Sequence, residues 1–170
     1  MWLDLGIMVP KPGIESPESS RPMTEVIGID HIYIAVSDLG RAEAFYDKAM
    51  ATLGFRKNTF TIGGEPHVQY FNRHFGFVLR PARSRIPHDS YAPGLHHLCL
   101  RVESKAEVEA AAATLRAAGI DASEPTLYPE YAADYYATFF SDPDGLRLEV
   151  TNYRDERRHR HDHWIAKGQG

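Results

Sequence analysis

Apolar and polar residues alternate along the first part of the chain and then change period. Between residues 26 and 36 the alternation predicts a β-strand. From residue 39 to residue 53 apolar positions recur every three or four residues, which predicts a helix capped by Ser37 or Asp38 and ended by Gly54. Three short β candidates follow, at residues 55–62, 67–71 and 75–80.

The same order of elements starts again near residue 95. A strand at residues 95–102 precedes a helix whose capping box is formed by Ser104 and Glu107. His97 follows His31 by 66 positions, so the first strands of the two units correspond. Three more β candidates occupy residues 119–122, 135–140 and 146–150. The pattern predicts an α+β fold, in which two paired βαβββ modules have mixed sheets that curl into a half-open barrel.

Composition divides the chain into three parts. Residues 1–25 are rich in Pro, Ser, Glu and Gly, which predicts a disordered or arm-like extension. The ordered domain is expected at residues 26–153, with module one at 26–90 and module two at 94–153. Residues 154–170 form a charged tail that includes several histidines.

Charge and cysteine content exclude several classes of function. The net charge of −4 argues against nucleic acid as a partner, and no apolar run approaches the roughly 20 residues of a membrane helix. Cys99 is the single cysteine, so the chain has no internal disulfide and a reducing compartment, the cytoplasm, is expected.

Three residues with metal-binding side chains fall at related places in the repeat. His31 and His97 occupy matching positions on the first strand of each module, on the face opposite the apolar, helix-packing residues. Glu149 lies on the last strand of module two, also opposite its apolar face. If the sheets curl, these side chains converge on a central site for one divalent metal per chain, such as Fe, Mn, Ni, Co or Zn. The alternatives are two histidines with structural roles and a Glu149 that pairs with Arg147.

Other residues are expected to line the pocket around this site. The strand alternation predicts that Tyr33, Cys99, Arg101 and Arg147 face inward. The long segment at residues 122–134 is typical of a lid or binding loop. That loop contributes Tyr128 and Tyr131, and if the strand register holds, Tyr136, Thr138 and Phe140 join the inward face. Two of these inward residues are catalytic candidates. Tyr136 would donate a hydrogen bond to a metal-bound oxygen, and Arg147 would neutralise an anionic substrate.

Three stretches resemble a known superfamily. They are IDHIYIAVSDLGRAEAFYDKAMATLGF, GLHHLCLRV and YYATFFSDPDGLRLEV. They resemble the vicinal oxygen chelate superfamily, which includes glyoxalases, fosfomycin and bleomycin resistance proteins and extradiol dioxygenases. The resemblance implies that His31, His97 and Glu149 are the metal ligands. Glyoxalases carry a fourth ligand at the end of module one. Superposing Gly76 on Gly145 places Arg80, or Leu79 after a one-residue slip, at the position that corresponds to Glu149, and neither side chain binds a cation.

The resemblance also implies the class of reaction. It predicts a metal-dependent enzyme whose small substrate chelates the metal through vicinal oxygens, with dioxygenase or lyase/isomerase chemistry. The alternatives are a metal-free protein of the bleomycin-resistance type, which sequesters an aromatic molecule, and a thiol transferase of the fosfomycin type. Because each module leaves one face of a half-barrel open, and because the family commonly forms dimers, a homodimer is expected.

Overall fold

The computed structural model describes residues 26–84 and 86–164. The expected extension at residues 1–25 and the end of the tail, residues 165–170, lie outside the described residues. Module one contains β1 (His31–Val36), α1 (Leu39–Thr52), β2 (Arg56–Ile62), β3 (Glu65–Phe71) and β4 (Gly76–Pro81). Module two contains β5 (His97–Val102), α2 (Lys105–Ala117), β6 (Thr126–Leu127), β7 (Tyr136–Ser141) and β8 (Arg147–Asn152), and is followed by α3 (Asp155–Asp162).

The two modules have the same sheet topology. Sheet A has the strand order β1-β4-β3-β2, and sheet B has the order β5-β8-β7-β6. In each sheet the first strand runs parallel to the last, and the other neighbours are antiparallel. The predicted α+β fold with two βαβββ modules and mixed sheets is therefore confirmed. Among the described residues, no helix is both long enough and apolar enough to cross a membrane.

Side-chain caps fix where the two large helices begin. At α1 the carboxylate of Asp38, and not the hydroxyl of Ser37, accepts a hydrogen bond from the Arg41 N–H at 2.9 Å. At α2 the Ser104 hydroxyl accepts one from the Glu107 N–H at 3.3 Å. The Glu107 carboxylate accepts in return from the backbone N–H one residue before the cap, so the predicted capping box is present in a shifted form.

The strand predicted at residues 119–122 is absent from the structure. The first edge strand of sheet B is instead the two-residue β6, which lies inside the segment expected to be a loop. The reason is that the backbone N–H groups at the start of this segment bond locally. Ile120 N–H donates to Leu115 at the end of α2, and Ala122 N–H donates to Ile120. These groups are therefore unavailable for a ladder with β7.

One face of each sheet packs against helices, and the other does not. The helix-facing side chains of both modules form one apolar core, which includes Val36, Tyr46, Phe77, Leu79, Leu115, Leu148 and Val150. As predicted, the alternate residues of β1, β5 and β8 point away from this core. We call the side of each sheet away from the helices its open face.

The turn between β7 and β8 joins module two to module one. The Asp142 carboxylate accepts the backbone N–H groups of Asp144 and Leu146 at 2.9 and 2.8 Å, which shapes the turn. It also accepts the hydroxyl of Tyr46, on α1 of the other module, at 3.1 Å. Burial raises the pKa of the Asp142 carboxyl, and these three hydrogen bonds oppose that rise.

A second carboxylate of the turn binds the start of α1. Asp144 accepts the Ser37 N–H at 2.7 Å, the Ser37 hydroxyl, and the Arg41 guanidinium at 2.7 Å. Partial burial opposes ionisation of Asp144, but the Ser37 hydrogen bonds and the Arg41 charge outweigh it and hold the pKa of this carboxyl below its usual 3.8. The ionised form therefore stabilises the contact between modules.

We expect Asp144→Asn to lower the free energy of unfolding by about 1–2 kcal/mol at neutral pH, because it removes a charged acceptor. Since the pKa of Asp144 in the folded protein lies below 3.8, the stability difference between the two proteins is complete above pH 3.8. It shrinks as the pH falls through the folded pKa, because the wild-type carboxylate then becomes protonated. Urea unfolding of both proteins from pH 7 to pH 3 measures the difference. Asp121→Asn, at an exposed carboxylate of module two, is the control. A difference that does not change with pH would contradict this account.

Candidate functional site

Two of the three predicted metal ligands meet on the open face of sheet B. In the parallel ladder between β5 and β8, His97 lies beside Arg147 and Cys99 lies beside Glu149. All four side chains therefore share the open face, as the sequence pattern predicts. The Nε2 atom of His97 is 3.5 Å from Oε2 of Glu149.

The carboxylate of Glu149 is almost inaccessible to solvent, and neighbouring side chains hold it in place. Only 3% of the residue is exposed, and an ionised carboxylate at such a position requires partners. Its Oε1 atom accepts a hydrogen bond from the Tyr135 hydroxyl, and its Oε2 atom faces His97. Arg147 does not pair with Glu149. Its guanidinium carbon lies 4.1 Å from the centre of the Phe139 ring instead.

The neighbouring histidine orients His97. The Nδ1 atoms of His96 and His97 are 2.7 Å apart, so one ring donates to the other. When His97 is the donor, its Nε2 carries a lone pair that faces the Glu149 side of the site. His96 in turn contacts Tyr91 edge to face. Because His96 and His97 are consecutive, strand alternation places them on opposite faces and gives no sign of this role.

Cys99 and Tyr135 complete the immediate surroundings of Glu149. The Cys99 sulfur is 3.9 Å from the Tyr135 hydroxyl. Although Cys99 is exposed on the open face, desolvation of its thiol and the charge of Glu149 raise its pKa to about 12. Burial and the hydrogen bond to Glu149 likewise raise the pKa of Tyr135. Both groups therefore stay protonated at neutral pH, and Tyr135 remains a hydrogen-bond donor.

His31, the third predicted ligand, lies on the open face of sheet A. About half of its side chain is exposed, and its Nδ1 atom is 2.6 Å from a carboxylate oxygen of Asp30. Its ring contacts Tyr33, a predicted pocket residue, edge to face at 5.5 Å. Within residues 26–84 and 86–164, no three His, Cys, Asp or Glu side chains lie close enough together to hold a metal ion. A single chain thus brings together two of the three predicted ligands.

The strand register corrects the residue that corresponds to Glu149 in module one. Glu149 lies opposite Cys99, and the equivalent pair in module one is Val78 opposite Tyr33. The position is therefore occupied by Val78 and not by Arg80 or Leu79, since the turns before β4 and β8 differ in length. Val78 is buried and has no donor atom for a metal. The expected lack of a fourth ligand at this position therefore still holds.

The register also corrects the expectation for β7. Phe139 lies opposite Glu149, so Phe139, and with it every second residue of the strand, shares the open face. Tyr136, Thr138 and Phe140 point to the other side, toward the helix. The two polar residues of β7, Thr138 and Ser141, fall on opposite faces of the strand, so alternation alone gave no basis for choosing the face.

Contacts of the misplaced residues agree with this correction. The Tyr136 hydroxyl donates to Glu109 of α2 at 3.2 Å, away from Glu149. Thr138 is fully buried, and its hydroxyl donates to the Ser123 carbonyl at 2.7 Å. Tyr136 is therefore not placed to donate to a substrate at Glu149, and Thr138 does not line the pocket. Tyr135, which the sequence analysis did not single out, occupies the position expected for Tyr136.

A continuous series of four aromatic rings flanks the site, and we call it the aromatic wall. Its members are Tyr128, Tyr131, Tyr135 and Phe139. Tyr131 stacks on Tyr128 at 5.8 Å and meets Tyr135 edge to face at 5.3 Å, and Tyr128 meets Phe139 edge to face at 5.4 Å. The two predicted loop residues, Tyr128 and Tyr131, therefore do lie beside the site, packed against two residues that the sequence analysis missed.

The remaining predicted pocket residue, Arg101, lies farther along the open face. Its guanidinium carbon is 4.0 Å from the centre of the Tyr153 ring. It lies opposite Thr151 in the ladder, one pair beyond Cys99 and Glu149 on the same face. Arg101 therefore belongs to the rim of the face.

The donor chemistry at His97 and Glu149 suits a divalent first-row metal. An imidazole nitrogen and a carboxylate oxygen lie 3.5 Å apart, and hydrogen bonds from neighbouring residues orient both side chains. A metal ion held there needs at least one further protein ligand. The exposed side chain of His31 has the right chemistry, but it lies on the other sheet.

Sequence comparison assigns the chain to a family. A model of the glyoxalase/bleomycin resistance protein/dioxygenase superfamily matches residues 28–150, which is most of the chain. The chain belongs to this superfamily. The uncharacterized protein YqjT of Bacillus subtilis (strain 168) is 27% identical to it over 124 residues, which cover 71% of this chain and 94% of YqjT.

Solved structures with the same fold agree with the superfamily assignment. A glyoxylase/bleomycin resistance protein/dioxygenase domain from Frankia sp. EAN1pec superposes with a TM-score of 0.62 at 21% identity, over 76% of this chain and all of that one. Lactoylglutathione lyase from Agrobacterium tumefaciens gives a TM-score of 0.54 at 23% identity, over 78% of this chain and 96% of that one. At these identities the likeness shows the fold alone.

We expect Tyr135→Phe to destabilise this superfamily member by about 1–3 kcal/mol, because it leaves a buried carboxylate oxygen without its donor. Tyr136→Phe, at the neighbouring residue, removes a hydroxyl that bonds an exposed glutamate and should change stability little. Urea unfolding measures both variants. Equal effects of the two substitutions would contradict the assigned strand register.

Proposed function

We propose that this protein is a metal-dependent enzyme of the glyoxalase/dioxygenase type. Its substrate would be a small molecule that chelates the metal through vicinal oxygens, and the reaction would be of the dioxygenase or lyase/isomerase class. The observation that supports the proposal is the approach of His97 Nε2 to Glu149 Oε2, at 3.5 Å, on an open sheet face. Membership of the superfamily is consistent with it.

We further propose that His31 of a second copy completes the ligand set in a homodimer. His31 is half exposed in one chain, and a carboxylate and two histidines are a suitable ligand set for Fe, Mn, Ni, Co or Zn. Several large apolar side chains in the segments that precede β1 and β5 are exposed, and such a partner would cover them. They are Val26, Ile27, Ile29, Ile86, Tyr91 and Leu95.

Each residue around the proposed centre has a role that follows from its contacts. Tyr135 holds Glu149 in place through its hydroxyl, and His96 holds the ring of His97. The metal, when bound, would supply a Lewis acid that polarises the vicinal oxygens of the substrate. Arg147, on the same face beside His97, offers a positive charge to an anionic substrate. The aromatic wall limits access of water from one side.

A second candidate function is sequestration of a planar aromatic molecule without a metal. The aromatic wall favours it, because the exposed ring of Tyr131 offers a surface on which such a molecule would stack. In both candidates the partner is a small molecule and the site of action is the cytoplasm, with no role for nucleic acid or a membrane. Metal content distinguishes the two functions.

We expect untagged protein to hold one transition-metal ion per chain, and His31→Ala and Glu149→Ala each to lose it, because each removes one of three ligands. Elemental analysis of the purified proteins measures the content. The variant His74→Ala, at an exposed turn histidine of module one, is the control. If the wild type holds no metal, the enzyme proposal fails and the sequestering protein takes its place.

We expect a mixture of the His31→Ala and Glu149→Ala proteins, unfolded and refolded together, to regain metal binding at about a quarter of its sites. Half of the dimers in a random two-fold assembly are mixed, and each mixed dimer has one intact site. Elemental analysis against each variant refolded alone tests this. A mixture that binds no more than its components would show that the three ligands do not come from two chains.

A further inference from the structure

One arginine beside Glu149 has no role in the site as described so far. Arg154 follows β8, and its guanidinium carbon lies 5.1 Å from the centre of the Tyr135 ring, the same ring whose hydroxyl binds Glu149. Its side chain is 22% exposed. A guanidinium that is this much covered is held at a fixed place, here against an aromatic face.

The hydrogen-bonding groups of Arg154 are largely unused. Among the described residues its one carboxylate neighbour is Glu156, at 3.8 Å, which is too long for a hydrogen bond. Within the part of the chain that the structure describes, a planar group with several free donors therefore lies beside the Tyr135 ring.

The exposed end of the aromatic wall also contacts the Tyr135 ring. Tyr131 packs edge to face with Tyr135 at 5.3 Å, and Tyr128 covers one face of Tyr131. Tyr131 is 61% exposed, so its ring still offers surface to a further planar group. Arg154 and Tyr131 are each about one ring width from Tyr135. Arg154, Tyr131 and Glu149 are therefore all neighbours of one ring, that of Tyr135.

We propose that the ligand of this site is a planar aromatic compound with a carboxylate substituent, and that Arg154 binds the carboxylate. The ring packs along Tyr131 and Tyr135, and Arg154 recognises the anion through paired N–H donors, for which guanidinium geometry is suited. Oxygens at the opposite end of the ligand reach His97 and Glu149. That last contact rests on the proposed metal-dependent function, whereas the ring and carboxylate contacts do not.

Three probes separate the parts of this proposal. 3,4-Dihydroxybenzoate has the ring, the vicinal oxygens and the carboxylate. Catechol lacks the carboxylate, and glycerate lacks the ring. Isothermal titration of each probe into metal-loaded and chelator-treated protein gives the affinities. We expect dihydroxybenzoate to bind about tenfold or more tightly than either of the other two, as one charge-assisted contact supplies.

Variants then assign the carboxylate contact to a residue. Arg154→Met should remove the preference for dihydroxybenzoate over catechol without weakening catechol itself, and Arg154→Lys should keep part of it. Arg116→Met removes the same charge on α2, where Arg116 pairs with Glu124 and has no part in the site, and should keep the preference. Tyr131→Leu should weaken both aromatic probes. Circular dichroism and thermal unfolding confirm that each variant is folded.

Several results would overturn the proposal. Equal binding of catechol and dihydroxybenzoate by the wild type removes the carboxylate contact, and equal binding of glycerate removes the ring contact. A preference for dihydroxybenzoate that survives Arg154→Met, or that is lost in Arg116→Met, shows that Arg154 does not bind the carboxylate. Failure of the proposed function gives a different result. A protein that holds no metal but keeps an Arg154-dependent preference loses the chelation step and retains the aromatic-anion site.

Discussion

The turn at residues 142–145 is the constraint on which the rest of the structure depends. Its two carboxylates accept hydrogen bonds from module one. Asp142 accepts one from the Tyr46 hydroxyl, and Asp144 accepts them from Ser37 and Arg41. The same turn connects β7 to β8 and so fixes their register. One short segment therefore docks the modules and decides which side chains of module two face away from the core.

That register places a charge where a charge is costly. Glu149 is nearly inaccessible on the open face, and its surroundings supply a phenol hydroxyl, an imidazole and a protonated thiol. A buried carboxylate that served only the fold would be expensive to keep, since an apolar residue would pack there without partners. This arrangement supports the proposal that Glu149 and His97 bind a metal ion.

The two modules have diverged around a shared topology. Val78 in module one corresponds to Glu149, and the exposed His31 corresponds to His97, so module one has one possible ligand and module two has two. Only module two carries the aromatic wall, built from its longer loop. The proposed chemistry thus belongs mainly to module two, and module one contributes His31 and a surface for assembly.

The sequence by itself determined the duplicated βαβββ order, both large helices with their caps, and the shared face of His97 and Glu149. These features follow from the helical periodicity and the strand alternation, which depend only on residues close together in the chain. Only the tertiary structure decided that Tyr135, and not Tyr136, faces Glu149, and that His31 stays apart from it within one chain. Strand register and module packing depend on contacts between residues far apart in the chain, and a strand such as β7, whose polar residues fall on both faces, carries no local signal for either.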